Sequence, residues 1–274
     1  MKLLTEEKTQ QARHRYFVEL AFNGSAYHGW QIQKNAISVQ EILNKALITL
    51  LRQDVETVGC GRTDTGVHAT QLYVHFDANS EIGNRFTSPT PDGDGHTIFV
   101  HHLNAILPRD IAVKRIIPVA LHAHARFDAI LRSYEYHIHF HKNPFLNGFS
   151  WMLRDELHLE LMNQAAKVLF EYQDFSCFSK SNTQTFTNNC TISKAEWIKT
   201  TNGLVFHITA DRFLRNMVRA IVGTLIRIGR REIKPEEIHR IIESKNRSQA
   251  GASVPAYGLY LTEIIYPYIP KQNQ

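Results

Sequence analysis

Tyr134-Glu135-Tyr136-His137-Ile138-His139-Phe140 is the stretch that indicates most clearly how this 274-residue chain folds. Alternate side chains along it fall into two sets, which is typical of a β-strand with one face toward a core. Tyr134, Tyr136, Ile138 and Phe140 are expected on one face. Similar patterns predict further strands at 15–22, 72–76, 111–119, 191–199, 204–210 and 259–265, with an extended segment at 55–60.

Helical periodicity occurs between these strands. Ser38 and Glu41 form a capping box ahead of an apolar stripe, which predicts a helix that begins after Ser38. Further helices are expected at about 156–170, 213–229 and 238–244, with a short one at 101–107. Antiparallel-looking strands mixed with a few helices indicate the α+β class.

The chain divides into two expected units, the second beginning near Leu121. Residues 83–96 are rich in Pro, Gly and Asp, which predicts a surface loop. An Asp-x-Asp-Gly fragment there has the start of a calcium loop but not its remaining ligands. We therefore interpret this stretch as a connection without a metal.

Composition narrows the class of protein. Apolar residues make up 43% and charged residues 21% of the chain, which is typical of a globular protein and excludes disordered and fibrous ones. The longest apolar run is too short to span a bilayer, and the charged N-terminus is unlike a signal peptide. Three widely spaced cysteines without a C-x-x-C pair favour a reducing compartment, so we expect a cytoplasmic protein.

The positive charge is concentrated in one region. The formal net charge is +5, yet residues 212–247 hold ten Lys and Arg against four Glu. In a helix predicted from Phe213, Arg215, Arg219 and Arg227 fall on one row, with Arg212 beside them. Arginines in such a row are suited to binding a phosphate or carboxylate group, although a solvent-exposed helix face is the ordinary alternative. A localised basic surplus is compatible with nucleic acid as the partner.

The densest chemical pattern is Gly59-Cys60-Gly61-Arg62-Thr63-Asp64-Thr65-Gly66-Val67-His68-Ala69. Its glycines permit tight turns, and an extended backbone points Arg62 and Asp64 the same way. Asp64 would then serve as base or nucleophile, with a guanidinium able to orient it. From spacing alone, a turn with a surface ion pair remains the stronger alternative.

One aromatic pattern and one histidine pattern permit other functions. Tyr134 and Tyr136 are able to stack on bases or to fill the core. His137, His139 and His141 share a face and permit a metal site, although a plain polar strand face is favoured.

The Asp64 loop resembles the catalytic motif of the tRNA pseudouridine synthase A (TruA-type) family. Seven other segments resemble family motifs in the same order: 24–31, 38–41, 103–108, 124–127, 133–136, 213–219 and 258–261. The resemblance covers nearly the whole chain. The sequence departs from the usual pattern at Asn23 and Thr65, and at Cys190, where an arginine that contacts tRNA is common.

The resemblance implies a fold of two RRM-like, ferredoxin-like halves, 13–120 and 121–269, with mixed or antiparallel sheets joined around a central basic cleft. It implies a homodimer that isomerises uridine to pseudouridine at tRNA positions 38–40 in the anticodon stem-loop, without cofactor, metal or membrane. Asp64 is the implied catalytic residue. Arg62, Tyr134, Arg219 and Leu259 are the implied substrate-binding residues, and Arg219 matches the family's basic residue that pairs with the catalytic Asp. Arg212, Arg215 and Arg227 are weaker candidates for tRNA-backbone contacts.

Two other functions remain open at this point. A non-catalytic RNA-binding protein would use the basic helix and Tyr134 for binding and Asp64 only to order its loop. A metalloenzyme would use His137, His139 and His141.

Overall fold

A mixed sheet of nine strands organises the described part of the chain. The structure, a computed structural model, describes residues 13–82, 95–180 and 186–270. The strands are β1 (His14–Phe22), β2 (Val58–Gly59), β3 (His68–Ala78), β4 (Ile111–Val119), β5 (Leu131–His139), β6 (Trp151–Met152), β7 (Ile192–Lys199), β8 (Gly203–Ala210) and β9 (Leu259–Ile265). Their order is β4-β1-β3-β9-β5-β8-β7, with β2 also paired to β3 and β6 to β5. The α+β class is confirmed.

Five α-helices lie in the described part of the chain: α1 (Val39–Leu51), α2 (Gly95–Ile106), α3 (Leu159–Val168), α4 (Met217–Gly229) and α5 (Glu237–Glu243). The predicted start of α1 is confirmed, because the Ser38 side chain accepts a hydrogen bond from the Glu41 amide at 3.3 Å. None of these helices combines the length and hydropathy needed to cross a membrane.

Two predicted helix boundaries were wrong. The helix expected at 101–107 begins at Gly95, because Phe99 and Leu103 are both buried and extend its apolar face toward the N-terminus. Gly95 and His96, the last two residues of the predicted loop at 83–96, are therefore helical, and its residues 83–94 lie outside the described residues. The helix expected from Phe213 begins at Met217, because Asn216 is left-handed with φ of 67°.

The strands of the structure differ from the predicted ones mainly in their length and in the direction of their pairing. The bounds of β4 and β9 are as predicted, whereas β3 begins four residues early, at His68. The extended segment at 55–60 contributes only two residues, as β2. Most neighbours are antiparallel, but β3 pairs with β9, and β5 with β6, in the parallel direction.

Buried apolar side chains of the described residues form two hydrophobic cores. One contains residues of β1, β3, β4, α1 and α2, and the other contains residues of β5, β7, β8, α3, α4 and α5. Burying one large apolar side chain contributes about 1.5–3 kcal/mol, so each core is a substantial source of stability. Strand β9 belongs to both, with Leu259 in the second core and Leu261 in the first.

Strand β9 also brings the candidate site together. It pairs with the first residues of β3, where His68 lies opposite Tyr260, and along β5, where Tyr134 lies opposite Leu261. The loop that precedes β3 therefore ends across β9 from the part of β5 that carries Tyr134. This junction between the two cores is where most of the predicted site residues meet.

Candidate active site

The loop between β2 and β3 presents Asp64 at its surface. Thr63 is buried, and its Oγ1 accepts a hydrogen bond from the Trp30 amide at 3.0 Å. Arg62 is exposed, and the Asp64 side chain is 24% exposed. Thr63 thus points inward and its neighbours outward, in agreement with the expected extended backbone.

The turn that follows β1 packs against this loop. Gly29 has φ of +82°, and a Cβ there would lie only 2.2 Å from the Thr63 carbonyl oxygen, so a side chain would displace the loop. The Gly66 amide donates to the Tyr27 carbonyl at 3.2 Å, and the Val67 amide donates to the Asp64 carbonyl at 3.2 Å. These contacts hold the backbone on both sides of Asp64.

Asn23 retains the local role that an aspartate would have in this turn. Its side chain accepts a hydrogen bond from the Ser25 amide at 3.0 Å and caps the short 3-10 turn at Gly24–Ala26. An amide oxygen and a carboxylate oxygen serve equally as acceptors in such a cap. This departure from the usual pattern therefore leaves the turn intact.

Arg219 is the cation beside Asp64. It lies in the first turn of α4, and its Nη1 is 3.3 Å from Asp64 Oδ2. Its Nε donates to the Val254 carbonyl at 2.7 Å, so the planar guanidinium is held while it contacts the carboxylate. The row predicted to suit a phosphate or carboxylate therefore contributes one arginine to the Asp64 carboxylate. No hydrogen bond within the described residues joins Arg62, which was predicted to orient Asp64, to that carboxylate.

Close packing of α4 brings Arg219 into reach. A Cβ at Gly223 would lie 1.9 Å from the Ala252 carbonyl oxygen, so glycine allows the helix to contact the segment that contains Val254. Gly223 therefore serves close packing of the helix against this segment.

Tyr134 and Leu259 lie on neighbouring strands next to this pair. The half-buried Tyr134 ring meets the Phe213 ring edge-on at 5.0 Å. Burial raises the pKa of Tyr134, and the nearby Asp64 carboxylate raises it further, so the phenol stays protonated. Leu259 is buried at the start of β9, opposite Tyr136 of β5.

Sequence reasoning missed Arg132, which lies two residues before Tyr134. One of its terminal nitrogens donates to the Cys60 carbonyl at 3.1 Å and to the Arg126 carbonyl at 2.7 Å. The other donates to the carbonyls of Ala129 and Asp211. Arg132 therefore ties the start of the Asp64 loop to β5. Nothing in the sequence signals this role, because all four acceptors are backbone atoms.

Within the described residues, no ion pair or hydrogen bond joins the other basic candidates to Asp64. Arg212 and Arg215 precede α4, so the helical row that was predicted to include Arg215 does not reach it. Arg227 Nε is 3.3 Å from Glu232 Oε2, which gives it a local partner.

The histidines and cysteines have local environments of their own. His137 Nε2 is 3.0 Å from Glu135 Oε2, and His139 Nδ1 is 3.0 Å from Ser150 Oγ. In the described ranges, no three His, Cys, Asp or Glu side chains converge in a metal-binding arrangement. Cys60 is buried, and burial raises the pKa of its thiol, which opposes a nucleophilic role.

Known proteins with similar sequences share one description. The family model for tRNA pseudouridine synthase matches residues 165–267. A tRNA pseudouridine synthase A of Azobacteroides pseudotrichonymphae is 48% identical over 255 residues, covering 93% of this chain and 97% of that protein. That of Parabacteroides distasonis is 46% identical and covers 92% of this chain and 96% of its own length. That of Thermoanaerobacter sp. is 37% identical and covers 91% of this chain and 98% of its own length. With such identity along nearly the full length of its relatives, the chain belongs to the tRNA pseudouridine synthase A family.

Proposed function

We propose that the chain isomerises uridine to pseudouridine at positions 38–40 of the tRNA anticodon stem-loop, with Asp64 as the essential carboxylate. Membership of the family makes the protein a tRNA pseudouridine synthase, which is an isomerase. The observation that carries the assignment to Asp64 is its ion pair with Arg219, at the junction of the two cores and beside Tyr134.

The reaction requires the carboxylate of the enzyme to act at C1′ of the ribose or at its 2′ hydroxyl. The bond between N1 of uracil and C1′ of ribose breaks, the base turns, and a bond forms between C5 and C1′. The hydrogen on C5 leaves as a proton, and N1 gains one, so the atoms balance. As the first bond breaks, C1′ develops oxocarbenium character, which a carboxylate stabilises, attacks or relieves by removing the 2′ proton.

The geometry suits Asp64 to this task. Arg219 contacts only Oδ2 of the Asp64 carboxylate, and the side chain is accessible on the surface of its loop. The guanidinium fixes the orientation of the carboxylate. An oriented carboxylate oxygen that remains open to substrate is what each of the three roles at C1′ needs.

The neighbouring residues suit a nucleotide that has left the helical stack. Tyr134 would pack its protonated ring against the flipped uracil, and Leu259 would form an apolar wall of the pocket. The exposed Arg62 would fill the vacated place in the stack or bind the adjacent phosphate. Arg212, Arg215 and Arg227 are weaker candidates for backbone contacts in a basic cleft.

Topology supports two RRM-like halves, 13–120 and 121–269. The first runs β1-α1-β2-β3-α2-β4 and is ordered β4-β1-β3-β2 in the sheet. The second runs β5-α3-β7-β8-α4-β9 and is ordered β9-β5-β8-β7, with two additions: the two-residue β6, which follows β5 and pairs with it, and α5, which precedes β9. Each is a β-α-β-β-α-β unit with the same strand order, as in ferredoxin-like folds. Ala125 and Tyr266 of the second half complete the first core.

The proposal includes a homodimer that acts on tRNA in the cytoplasm. Sedimentation of the purified protein tests the dimer, which would have twice the chain mass of 31.5 kDa. A monomer at the concentrations used for activity would contradict this part alone.

Tritium release from C5-tritiated uridine in unmodified tRNA tests the reaction. We expect release by the native protein and at least about 1000-fold slower release by Asp64→Asn, which keeps the shape but lacks the negative charge. Tyr172→Phe, which removes a hydroxyl at the His239 and Glu243 side chains, is the folded control. A native protein that binds tRNA without release would favour the non-catalytic RNA-binding alternative.

A further inference from the structure

His68, at the first position of β3, has a hydrogen bond at each ring nitrogen. It is only 1% exposed. The Gly24 amide lies 3.0 Å from Nδ1. A backbone N–H can only donate, so Nδ1 is unprotonated and the proton of the neutral ring is on Nε2.

The protonated Nε2 reaches two carbonyls in the second half of the chain. It is 3.0 Å from the Gly148 oxygen and 3.1 Å from the Tyr257 oxygen, and it donates to both. Burial lowers the pKa of His68, and a charged His137 would lower it further, which keeps the ring in this neutral form. One side chain thereby satisfies backbone groups from three separate segments.

Ring packing fixes the orientation of His68. Its ring stacks on that of Tyr260 at 4.7 Å and on that of Phe149 at 5.5 Å. The Tyr260 hydroxyl donates to the Phe149 carbonyl at 2.6 Å, which links the two aromatic neighbours. The imidazole therefore has little freedom to turn away from its hydrogen-bond partners.

His68 is connected to Asp64 by a short, closed turn. The Val67 amide donates to the Asp64 carbonyl, so the residues between Asp64 and His68 cannot extend freely. On the other side, Tyr257 lies three residues after Val254, whose carbonyl holds Arg219. Through Nε2, His68 thus joins the loop that carries Asp64 to the segment that holds its partner.

We propose that His68 is a positioning residue for the isomerisation, and that its Nε2–H holds Asp64 in register with Arg219 across the two halves. The proposal rests on the role of Asp64 in the proposed function. A reacting carboxylate that shifts by about 1 Å can lose about 100-fold in rate.

Two substitutions test the hydrogen bonds at the two ring nitrogens of His68 separately. His68→Gln places an amide nitrogen near the original Nε2, so it can still donate to Gly148 and Tyr257. His68→Asn places an oxygen near the original Nδ1, so it can still accept from Gly24 but cannot reach the second half. His75→Asn is the matched control, because His75 is also buried in β3 and its Nδ1 also accepts from a backbone amide, that of Ala125.

Steady-state tritium release is measured over a range of tRNA concentrations for the four proteins, well below the unfolding temperature of each. We expect His68→Asn to lower kcat about 100-fold with KM changed less than about 3-fold. His68→Gln should retain kcat within about 10-fold, and His75→Asn within about 3-fold. Equal losses in the two His68 variants, or a loss in His75→Asn as large as in His68→Asn, would overturn the proposal.

Hydrogen exchange gives a readout that does not depend on turnover. The amides of Gly66 and Val67 should exchange at least about 10-fold faster in His68→Asn than in His68→Gln or His75→Asn, because the turn loses its anchor. Unchanged exchange in His68→Asn would overturn the proposal even if the native protein released no tritium. An inactive native protein with the expected exchange pattern would instead contradict the proposed function and leave the anchor supported.

Discussion

Arg219 and Asp64, which are 155 residues apart in the sequence, form a contact of 3.3 Å between Nη1 and Oδ2. Their side chains are 21% and 24% exposed, so the pair lies partly buried at the junction of the two cores. The same guanidinium is held at 2.7 Å from the Val254 carbonyl through Nε. The pair therefore acts less as a source of stability than as a way to orient one carboxylate from the opposite half of the chain.

Replacing Arg219 by lysine should impair catalysis more than binding. A lysine ammonium is a point charge and cannot contact Asp64 and the Val254 carbonyl with the fixed geometry of a guanidinium. We expect Arg219→Lys to lower kcat about 100-fold, measured as tritium release, with a small change in KM.

Arg240→Lys is the control for that experiment, since Arg240 is exposed and pairs with Glu237 on α5. Arg240→Lys should have a kcat within about 2-fold of the native value. Activity of Arg219→Lys close to that of the control would mean that Asp64 is oriented by its loop alone.

Arg62 should act through the substrate only. Its side chain is exposed, and it makes no side-chain hydrogen bond within the described residues. Arg62→Gln should therefore leave the unfolding temperature unchanged within about 1 °C and lower kcat/KM at least about 10-fold. If Arg62 binds a phosphate, the slope of log affinity against log salt falls in magnitude by about 1.

Arg62→Lys provides the matched comparison, because it keeps the charge and loses the planar group. Near-native salt dependence and activity in this variant would assign Arg62 to phosphate binding. Native salt dependence in Arg62→Gln, together with poor activity in both variants, would assign it to the vacated place in the stack.

The sequence predicts local structure here better than it predicts the contacts of the site. Alternation along 134–140 and the Ser38 cap both concern neighbouring residues, so each can be inferred from the order of side chains. The left-handed Asn216 is a local feature that periodicity does not report, and it moved the start of α4. Arg132 and His68 bind backbone atoms from distant segments, which carry no side-chain signature.

Gly223→Ala should destabilise the protein and move Arg219. The added Cβ would lie 1.9 Å from the Ala252 carbonyl oxygen, so α4 and the segment containing Val254 must separate. We expect the free energy of unfolding to fall by about 2 kcal/mol or more, measured by denaturant titration. Since Val254 holds Arg219, kcat should also fall at temperatures where the variant is fully folded.

Gly61→Ala is the control for stability, because a Cβ there meets no atom within 4 Å. Its free energy of unfolding should match the native value within about 0.5 kcal/mol. An equally stable Gly223→Ala protein would show that the helix and the facing segment can separate without cost.

His75 should make the protein less stable in acid. Burial lowers the pKa of His75 to about 4, and the charges of Arg15 and His124 add to the shift. Between the ordinary histidine pKa near 6.5 and about 4, the unfolded chain binds a proton that the folded protein excludes. The contribution of His75 is therefore complete above about pH 6.5 and is lost progressively as the pH falls toward about 4.

Denaturant unfolding of native protein and His75→Asn between pH 7 and pH 4 measures this contribution. The asparagine can still accept from the Ala125 amide but cannot be protonated, so its curve should fall less steeply, by on the order of 2 kcal/mol over the range. The carboxylates, and the buried His68, should affect both proteins alike. Parallel curves would mean that the folded protein admits the proton at His75, and that burial of this ring does not contribute to acid sensitivity.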